Sequence, residues 1–306
     1  MKIALFCAYN QAVTEEYAHT IHQLILDKGH TVSVDLRLKK AFEASRRTAD
    51  YFDSSQDNAA SFDALFSIGG DGTLLRSIPF VHNSDIPILG INTGRLGFLT
   101  SLQKESLEKG LDYFFKGQYT SIKRSLIQVS TSEEVEAIQE FGYALNEITL
   151  IRKNSTSMLN IEAQLNGKEL TTYWSDGLIV STPTGSTGYS LSNGGPILSP
   201  ETKSFIISPI APHNINMRPL VFPDSDEISI RVKGRGTHHL LTMDARSLSL
   251  PMDTEILLRK APFQIQTIEI QGDDFFQTLR NKLFWGQDSR NRQSVSYTHL
   301  TLPTKA

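Results

Sequence analysis

The sequence predicts an α/β N-terminal domain with a parallel sheet, a mostly antiparallel β-rich C-terminal domain, and a last helix that returns to the first domain. Strand and helix patterns alternate over residues 1–119, and short β-rich runs separated by turn residues replace them over 120–272. Helical spacing then resumes at Phe275, Phe276, Leu279 and Leu283, within a segment, 273–293, expected to pack back on the first domain. The chain has 306 residues, beyond the roughly 250–300 at which single cores stop growing, so two domains are expected.

Residues 3–8 form an apolar run of strand length, and Ala18, Ile21, Leu24 and Ile25 recur at helical spacing, with Thr14 as N-cap and Gly29 as C′ stop. Residues 31–36 read as a second strand, and a crossover helix between two strands implies a parallel sheet. The polar stretch 37–61 is expected to be loop with room for one helix. A buried strand over 64–68 leads into Gly69-Gly70-Asp71-Gly72-Thr73 and a helix from Leu74 towards Val81. A strand over 86–91 ends in Asn92-Thr93-Gly94-Arg95-Leu96-Gly97-Phe98-Leu99, and Leu107, Leu111, Phe114 and Phe115 mark an amphipathic helix. The β-rich runs are 125–130, 143–152, 178–181, 228–232, 240–243, 255–259 and 263–270, with a hairpin in which 159–165 turns at Asn166-Gly167.

Thirty Lys and Arg against 33 Asp and Glu give a net charge of −3, which excludes wholesale binding of nucleic acid or of a membrane surface. A hydrophobic content of 39% excludes a disordered chain. The one cysteine, Cys7, excludes an intramolecular disulfide or a cysteine zinc cage and suits a reducing compartment, so a cytoplasmic location is expected. No apolar run approaches the ~20 residues that span a bilayer, and residues 1–8 read as a first strand rather than a signal peptide. Residues 294–306 (SVSYTHLTLPTKA) have neither periodicity nor acidic residues and read as a non-native tail.

The strongest chemical signal is Gly69 to Thr73 at a strand-to-helix junction. Its glycines admit close approach of a ligand, and the helix start offers unpaired N–H groups to phosphate. An aspartate inside a phosphate cradle suits a group that orients or deprotonates an attacking hydroxyl, or that meets a divalent ion bridging phosphates; the plainer reading is a turn with Asp71 as N-cap. Neither G-x-x-x-x-G-K-[ST] nor G-x-G-x-x-G occurs, which excludes a Walker kinase and an ordinary dehydrogenase. The run Thr182-Pro183-Thr184-Gly185-Ser186-Thr187-Gly188-Tyr189-Ser190-Leu191-Ser192 is dense enough in hydroxyls and glycines to line a sugar and phosphate surface, with Tyr189 as a stacking face. Asn146-Glu147 suits a ribose diol or a base edge, and Asp176 reads as a turn residue. His19, His22, His238 and His239 read as surface, packing or strand-end residues, and Cys7 as buried. Residues 209–223 read as a loop in which Arg218 could meet a phosphate or carboxylate.

In this order, GGDGT at 69–73, NTGRLGFL at 92–99, Asn146-Glu147, SDG at 175–177, TPTGSTGYSLSNGGPI at 182–197 and PHNINMRPL at 212–220 closely resemble the NAD kinase family. The resemblance implies a Rossmann-like N-terminal domain and a dinucleotide site at the interface with the β-rich domain and between subunits of a homo-oligomer, dimer or tetramer. It implies transfer of the γ-phosphoryl of ATP, with Mg²⁺ or another divalent cation, to the 2′-hydroxyl of the adenosine ribose of NAD. By the same resemblance Asp71 is the proton acceptor. Gly72, Asn146, Glu147, Asp176, Thr187, Gly188, Tyr189, Ser190, Leu191 and Ser192 hold the dinucleotide, and Arg76 and Arg246 are further phosphate or nucleotide contacts. Two departures stand out: Asp244-Ala245-Arg246 replaces the family's usual Asp-Gly-Gln, and Gly188 replaces its usual alanine. The rival readings are a diacylglycerol-type lipid kinase sharing the GGDGT loop, and a non-catalytic NAD sensor. The lack of a Lys/Arg cluster weighs against the first, and the presence of Asp71 against the second.

Overall fold

The opening β-α-β unit forms as its spacing predicts. In the computed structural model, which describes residues 1–94, 97–153, 157–270 and 274–285, β1 (Lys2–Phe6) and β2 (Thr31–Asp35) pair in parallel, and α1 (Ala12–Asp27) crosses between them. The apolar stripe of α1, Tyr17, Ala18, Ile21 and Ile25, is buried on the sheet. The helix begins earlier than expected, with Gln11 as N-cap and Thr14 buried in its first turn. It ends at Gly29: the Gly29 N–H donates to the Leu26 carbonyl and the His30 N–H to the Ile25 carbonyl, a Schellman stop.

Residues 37–61 hold α2 (Lys39–Ala44) and a strand that the sequence reading missed, β3 (Asp50–Phe52), parallel to β2. β4 (Ala64–Ile68) lies on the other side of β1, with β5 (Ile88–Ile91) beside it, all parallel. α3 (Asp71–Val81) follows β4, and α4 (Leu107–Phe115) comes after β5. On one face of the sheet Ile21, Leu111 and Phe114 pack with Leu5, Phe66 and Ile91; on the other, Leu74 and Ile78 pack with Leu65 and Ile88. Burial on both faces is why these strands read as unbroken apolar runs.

The second half begins with β6 (Tyr119–Thr131), α5 (Glu136–Phe141), β7 (Tyr143–Ala144), β8 (Glu147–Arg152), β9 (Leu159–Leu165), β10 (Lys168–Ser175) and β11 (Gly177–Ser181). It continues with α6 (Tyr189–Ser192), β12 (Ser204–Ile210), β13 (Leu220–Pro223), β14 (Ile228–Lys233), β15 (His238–Met243), β16 (Arg246–Pro251), β17 (Glu255–Ile270) and α7 (Phe275–Leu283). The Asn166-Gly167 hairpin forms with both turn residues at positive φ, 50° and 73°, the signature of a type I′ turn. The runs at 255–259 and 263–270 are one strand. Pro262 has no N–H for the ladder, and the register against β6 shifts between Lys260 and Gln264 to pass it.

Two sheets result, ordered β10-β9-β14-β17-β5-β4-β1-β2-β3 and β13-β12-β11-β8-β15-β16, with β6 paired to β17 and β7. β17 is the seam: its first part pairs with β14, and Thr267 pairs with Ile88 of β5. A second core fills the space between the sheets, where Ile161, Ile230 and Ile256 meet Leu150, Val180 and Ile207. α7 returns to the first half, with the Lys282 ammonium 4.6 Å from the centre of the Phe98 ring. Among the described residues no helix is long and apolar enough to cross a membrane. Arg95 and Leu96 and the expected tail at 294–306 lie outside the described residues.

Candidate active site

β4 and β5 run parallel, so the loops after both open on the same edge of the sheet, where open α/β sheets place their ligands. Asp71 is the first residue of α3, after a Gly70 N-cap that makes no side-chain capping bond. The plainer reading of Asp71 as an N-cap therefore fails. Its carboxylate turns to the loop after β5 instead: Oδ2 accepts the Phe98 N–H at 2.7 Å and Oδ1 the Leu99 N–H at 3.1 Å, with the Thr100 hydroxyl 3.4 Å from Oδ1. Gly97 is what permits this, because a Cβ there would overlap the Asp71 carboxylate. The loop is itself braced by Asn92, whose Oδ1 accepts the Gly94 N–H at 2.6 Å and whose Nδ2 donates to Thr100 Oγ1 at 3.0 Å.

A residue that the sequence reading did not single out ties β6 to β17 and to the loop after β11, next to the loop that holds Asp71. Arg124, 3% exposed on β6, donates from Nε to Thr267 Oγ1 at 2.6 Å and from Nη1 to Thr184 Oγ1 at 3.4 Å, and its Nη2 lies 3.9 Å from Glu269. Burial pulls its guanidinium down to about 10, and the negative charges of Glu269 and Asp71 push the other way. Flanked by Lys123 and Ser125, Arg124 carries no signal in the sequence that marks it as buried. Arg124, Phe98, Thr100, Glu269 and Thr278 line a cavity of about 40 Å³ behind Asp71.

The hydroxyl-rich run after β11 does not present most of its hydroxyls to solvent, contrary to the expectation of a surface lined with them. Thr182, Thr184 and Ser186 are buried, and their side chains knit the loop: Thr182 Oγ1 donates to the Leu145 carbonyl at 2.5 Å, and Ser186 Oγ donates to the Pro183 carbonyl at 2.6 Å and accepts the Leu198 N–H at 3.0 Å. Thr187, Gly188, Leu191 and Ser192 are at least partly accessible, and the Tyr189 ring is 43% exposed. Ser190 is fully buried with its Oγ unpartnered.

The loop closes against Asn146-Glu147. Thr182 N–H donates to the Asn146 carbonyl at 2.9 Å, and a Cβ on Gly185 would fall on the Asn146 backbone. Asn146 Oδ1 and Glu147 Oε2 are buried and unpartnered, acceptors without the donors that a diol would supply. The Glu147 carboxyl is pushed up to about 7, first by burial and then by Asp244, while the Tyr189 N–H opposes the shift. Asp244 accepts the N–H groups of Leu145, Asn146 and Glu147 at 2.8, 2.8 and 3.1 Å. Burial pushes its carboxyl up, and these three donors and Arg246 pull it down.

Other singled-out residues lie elsewhere or are otherwise engaged. Asp176 sits at the opposite end of the β8/β11 pair from Glu147, since Gly177 faces Ile151 and Ser181 faces Glu147; it pairs with Arg152 at 3.1 Å. Arg246 donates from both Nη atoms to the carbonyls of Phe141 and Tyr143, so its guanidinium serves the local backbone, whereas Arg218 is exposed and donates from Nη1 alone to those of Ile215 and Met217. Arg76 is exposed, 5.2 Å from the centre of the Tyr9 ring. Gly72 is exposed in the first turn of α3. His19 and His22 pack on Phe42, at ring distances of 4.2 and 5.2 Å. Cys7 is buried, its thiol pushed up to about 12 by burial. His239 is the second residue of β15, at the strand end as read, and is fully buried.

The model of the ATP-NAD kinase N-terminal domain matches residues 3–119, and that of the C-terminal domain matches residues 145–270. The NAD kinases of Flavobacterium psychrophilum and Bacteroides fragilis are 45% and 40% identical to this chain over 294 residues, 95% of this chain and 100% of each relative. An NAD kinase from Archaeoglobus fulgidus, solved in complex with ATP, has a TM-score of 0.73 at 26% identity over 93% of this chain and 99% of its own. Yeast NADH kinase complexed with NADH shares the fold, with a TM-score of 0.82 at 22% identity over 94% of this chain and 89% of its own. Sequence identity that runs the whole length of relatives, with both domain models matched in order, makes the chain a member of the NAD kinase family.

Proposed function

We propose that this chain transfers the γ-phosphoryl of ATP to the 2′-hydroxyl of the adenosine ribose of NAD, with Asp71 orienting that hydroxyl and accepting its proton. The observation that carries the reading is the fixed Asp71 carboxylate at the phosphate-binding edge, held by the N–H groups of Phe98 and Leu99. The 2′-oxygen bonds to the γ-phosphorus as the bond from that phosphorus to the ADP oxygen breaks, and the hydroxyl proton passes to Asp71. In a loose transition state the proton moves late, so a weakly basic aspartate suffices and its placement matters most. The N–H groups of Asp71 and Gly72 precede the first helical bonds of α3, which Thr73 and Leu74 donate to the Gly70 carbonyl, and suit phosphate oxygens.

Asn146 Oδ1 and Glu147 Oε2 accept from ribose hydroxyls in this reading, and Thr187 to Ser192 form the wall beside them, with the Tyr189 ring as a stacking face. Asp71 is also the carboxylate available to a divalent ion carried by the ATP phosphates, which when bound neutralises charge on the transferred group. Among the described residues no cluster of three or more ligating side chains exists, which suits an ion held chiefly by phosphate. Arg76, exposed one turn into α3, is left as a second contact for phosphate.

Within one protomer Asp176 is a strand length from Glu147, and in this reading it meets the dinucleotide across an interface with a second copy of the chain. A homo-oligomer, dimer or tetramer, working in the cytoplasm is the assembly that this reading implies. Incubation with NAD, ATP and Mg²⁺ followed by assay of NADP tests the activity. Absence of NADP from the parent chain would refute it, and full turnover by Asp71→Asn would refute the role of Asp71.

A further inference from the structure

We infer that Asp244, together with Arg246, is a positioning residue that holds the peptide backbone of residues 141–147 so that the side chains of Asn146 and Glu147 stay open to the dinucleotide. The inference rests on the reading of that pair given above. Asp244 receives three consecutive N–H groups, those of Leu145, Asn146 and Glu147, and returns its own N–H to the Glu147 carbonyl at 3.1 Å. Charge-assisted bonds of this kind are stronger than neutral ones, and three on consecutive peptides leave the segment little freedom. Arg246 takes the other polarity: Nη1 donates to the Phe141 carbonyl at 2.6 Å, Nη2 to that of Tyr143, and the guanidinium lies 4.7 Å from the centre of the Phe141 ring. One residue thus satisfies backbone donors of the segment and the other backbone acceptors. Both leave Asn146 Oδ1 and Glu147 Oε2 unpartnered.

The turn that carries the clamp is itself strained. Asp244 has φ of 50°, a left-handed conformation that non-glycine residues adopt at a cost, and such outliers persist where the surroundings over-determine them. Asp244 follows Met243 of β15, which faces Ile148 of β8 across the sheet, so the clamp grows directly out of the ladder that sets the start of β8. The planar guanidinium of Arg246 suits a grip on two carbonyls at once.

Asp244 also supplies the charged neighbour of Glu147. The groups acting on the Glu147 carboxyl are Asp244 from the turn after β15 and the Tyr189 N–H at the start of α6, with Arg246 acting on Asp244. Dinucleotide affinity should therefore strengthen as Glu147 ionises near neutrality, and Asp244 should set where that happens.

Calorimetric titration of the full chain with NAD, and separately with ATP, across a pH range bracketing neutrality tests this. Asp244→Asn is expected to weaken NAD binding by about 30-fold and to leave ATP binding within about threefold, the size seen when outer-shell partners are lost. The inflection of NAD affinity against pH should move down by about one pH unit, because a like charge has been removed, which a purely structural defect would not do. NAD affinity within about twofold of the parent, or an unmoved inflection, overturns the inference. If Asp244→Asn does not fold, Arg246→Gln decides: NAD affinity at least about threefold weaker with ATP affinity unchanged supports the clamp, and unchanged affinity for both overturns it. A parent chain that binds NAD but forms no NADP refutes the proposed reaction and leaves this test intact.

Discussion

The Phe98 N–H donates to Asp71 Oδ2 at 2.7 Å, joining the loops after β4 and β5 across 27 residues of sequence. Gly97, immediately before Phe98, is the point of contact. A methyl group there would meet the carboxylate first, with its nearest atoms all on the Asp71 side chain. Gly97→Ala is expected to lower kcat by about 100-fold, the usual effect of a misplaced reactive group, and to cost only about 1 kcal/mol of stability because the Asp71 side chain can turn away. Rates of NADP formation beside urea unfolding curves check this; an active Gly97→Ala enzyme would show that the observed Asp71 rotamer is not the working one.

The glycines of the loop after β11 should respond in opposite ways. A Cβ on Gly185 meets the carbonyl, carbon and Cα of Asn146, all backbone, so Gly185→Ala is expected to cost about 3 kcal/mol and to abolish NAD binding. A Cβ on Gly188 meets Glu147 Oε2 at 2.8 Å, the far end of a flexible side chain. Gly188→Ala should therefore fold with stability within about 0.5 kcal/mol of the parent, while the displaced Glu147 carboxylate weakens NAD binding without abolishing it. Unfolding midpoints and NAD titrations of the two variants separate these outcomes.

The contrast between these two glycines shows where the sequence was legible. Local patterns carried the β-α-β unit, the Asn166-Gly167 hairpin and the loops that hold Asp71 and Tyr189, since each depends on neighbours in sequence. Pairing is non-local, and most misses follow from it. Asp176 reads as a turn residue and joins the other site residues only by resemblance, and what spacing does not give is the register, which puts Gly177 opposite Ile151 and Ser181 opposite Glu147. The stretch 209–223, read as a loop for its prolines, contains the end of β12 and all of β13, and β12 itself is unread in the sequence although Phe205, Ile206 and Ile207 are fully buried in the second sheet. Arg124 acts through partners 60 and 143 residues away and Asp244 through partners 97 to 99 away, which no spacing rule reaches. The hydroxyls of Thr182 and Ser186 were correctly placed in the loop but wrongly faced, because composition does not say which backbone carbonyl a hydroxyl will find.

Glu147 should make the protein less stable as pH rises. Its carboxyl, pushed up to about 7 in the fold from an ordinary 4.5, keeps a proton between those values that the unfolded chain releases. Folded protein then binds more protons than unfolded protein, so stability falls through that window and levels off above it. Glu147→Gln is expected to gain on the order of 1 kcal/mol above pH 7 and nothing near pH 4.5, while losing NAD affinity. Urea midpoints for parent and variant at the two ends of the window measure it; a gain of equal size at both ends would mean that the carboxyl does not hold its proton in the fold.

His239 acts with the opposite sign over an overlapping range. It is fully buried on β15 between Arg152 of β8 and Leu250 of β16, and neither ring nitrogen has a partner. Burial first, and then His238, pulls its imidazole down to about 4 from an ordinary 6.5. Between those values the unfolded chain takes up a proton that the folded chain refuses, so stability is lost as pH falls through the window. His239→Leu, similar in bulk and free of polar atoms, removes both that penalty and the two unpartnered nitrogens. It is expected to add about 2 kcal/mol near pH 5 and a smaller amount above neutrality. Because Glu147 drives stability the other way across part of this range, the difference between variant and parent is the decisive quantity: a gap that widens on acidification identifies the buried imidazole, and curves that run parallel from neutral to acid pH would show that some other group takes up the proton.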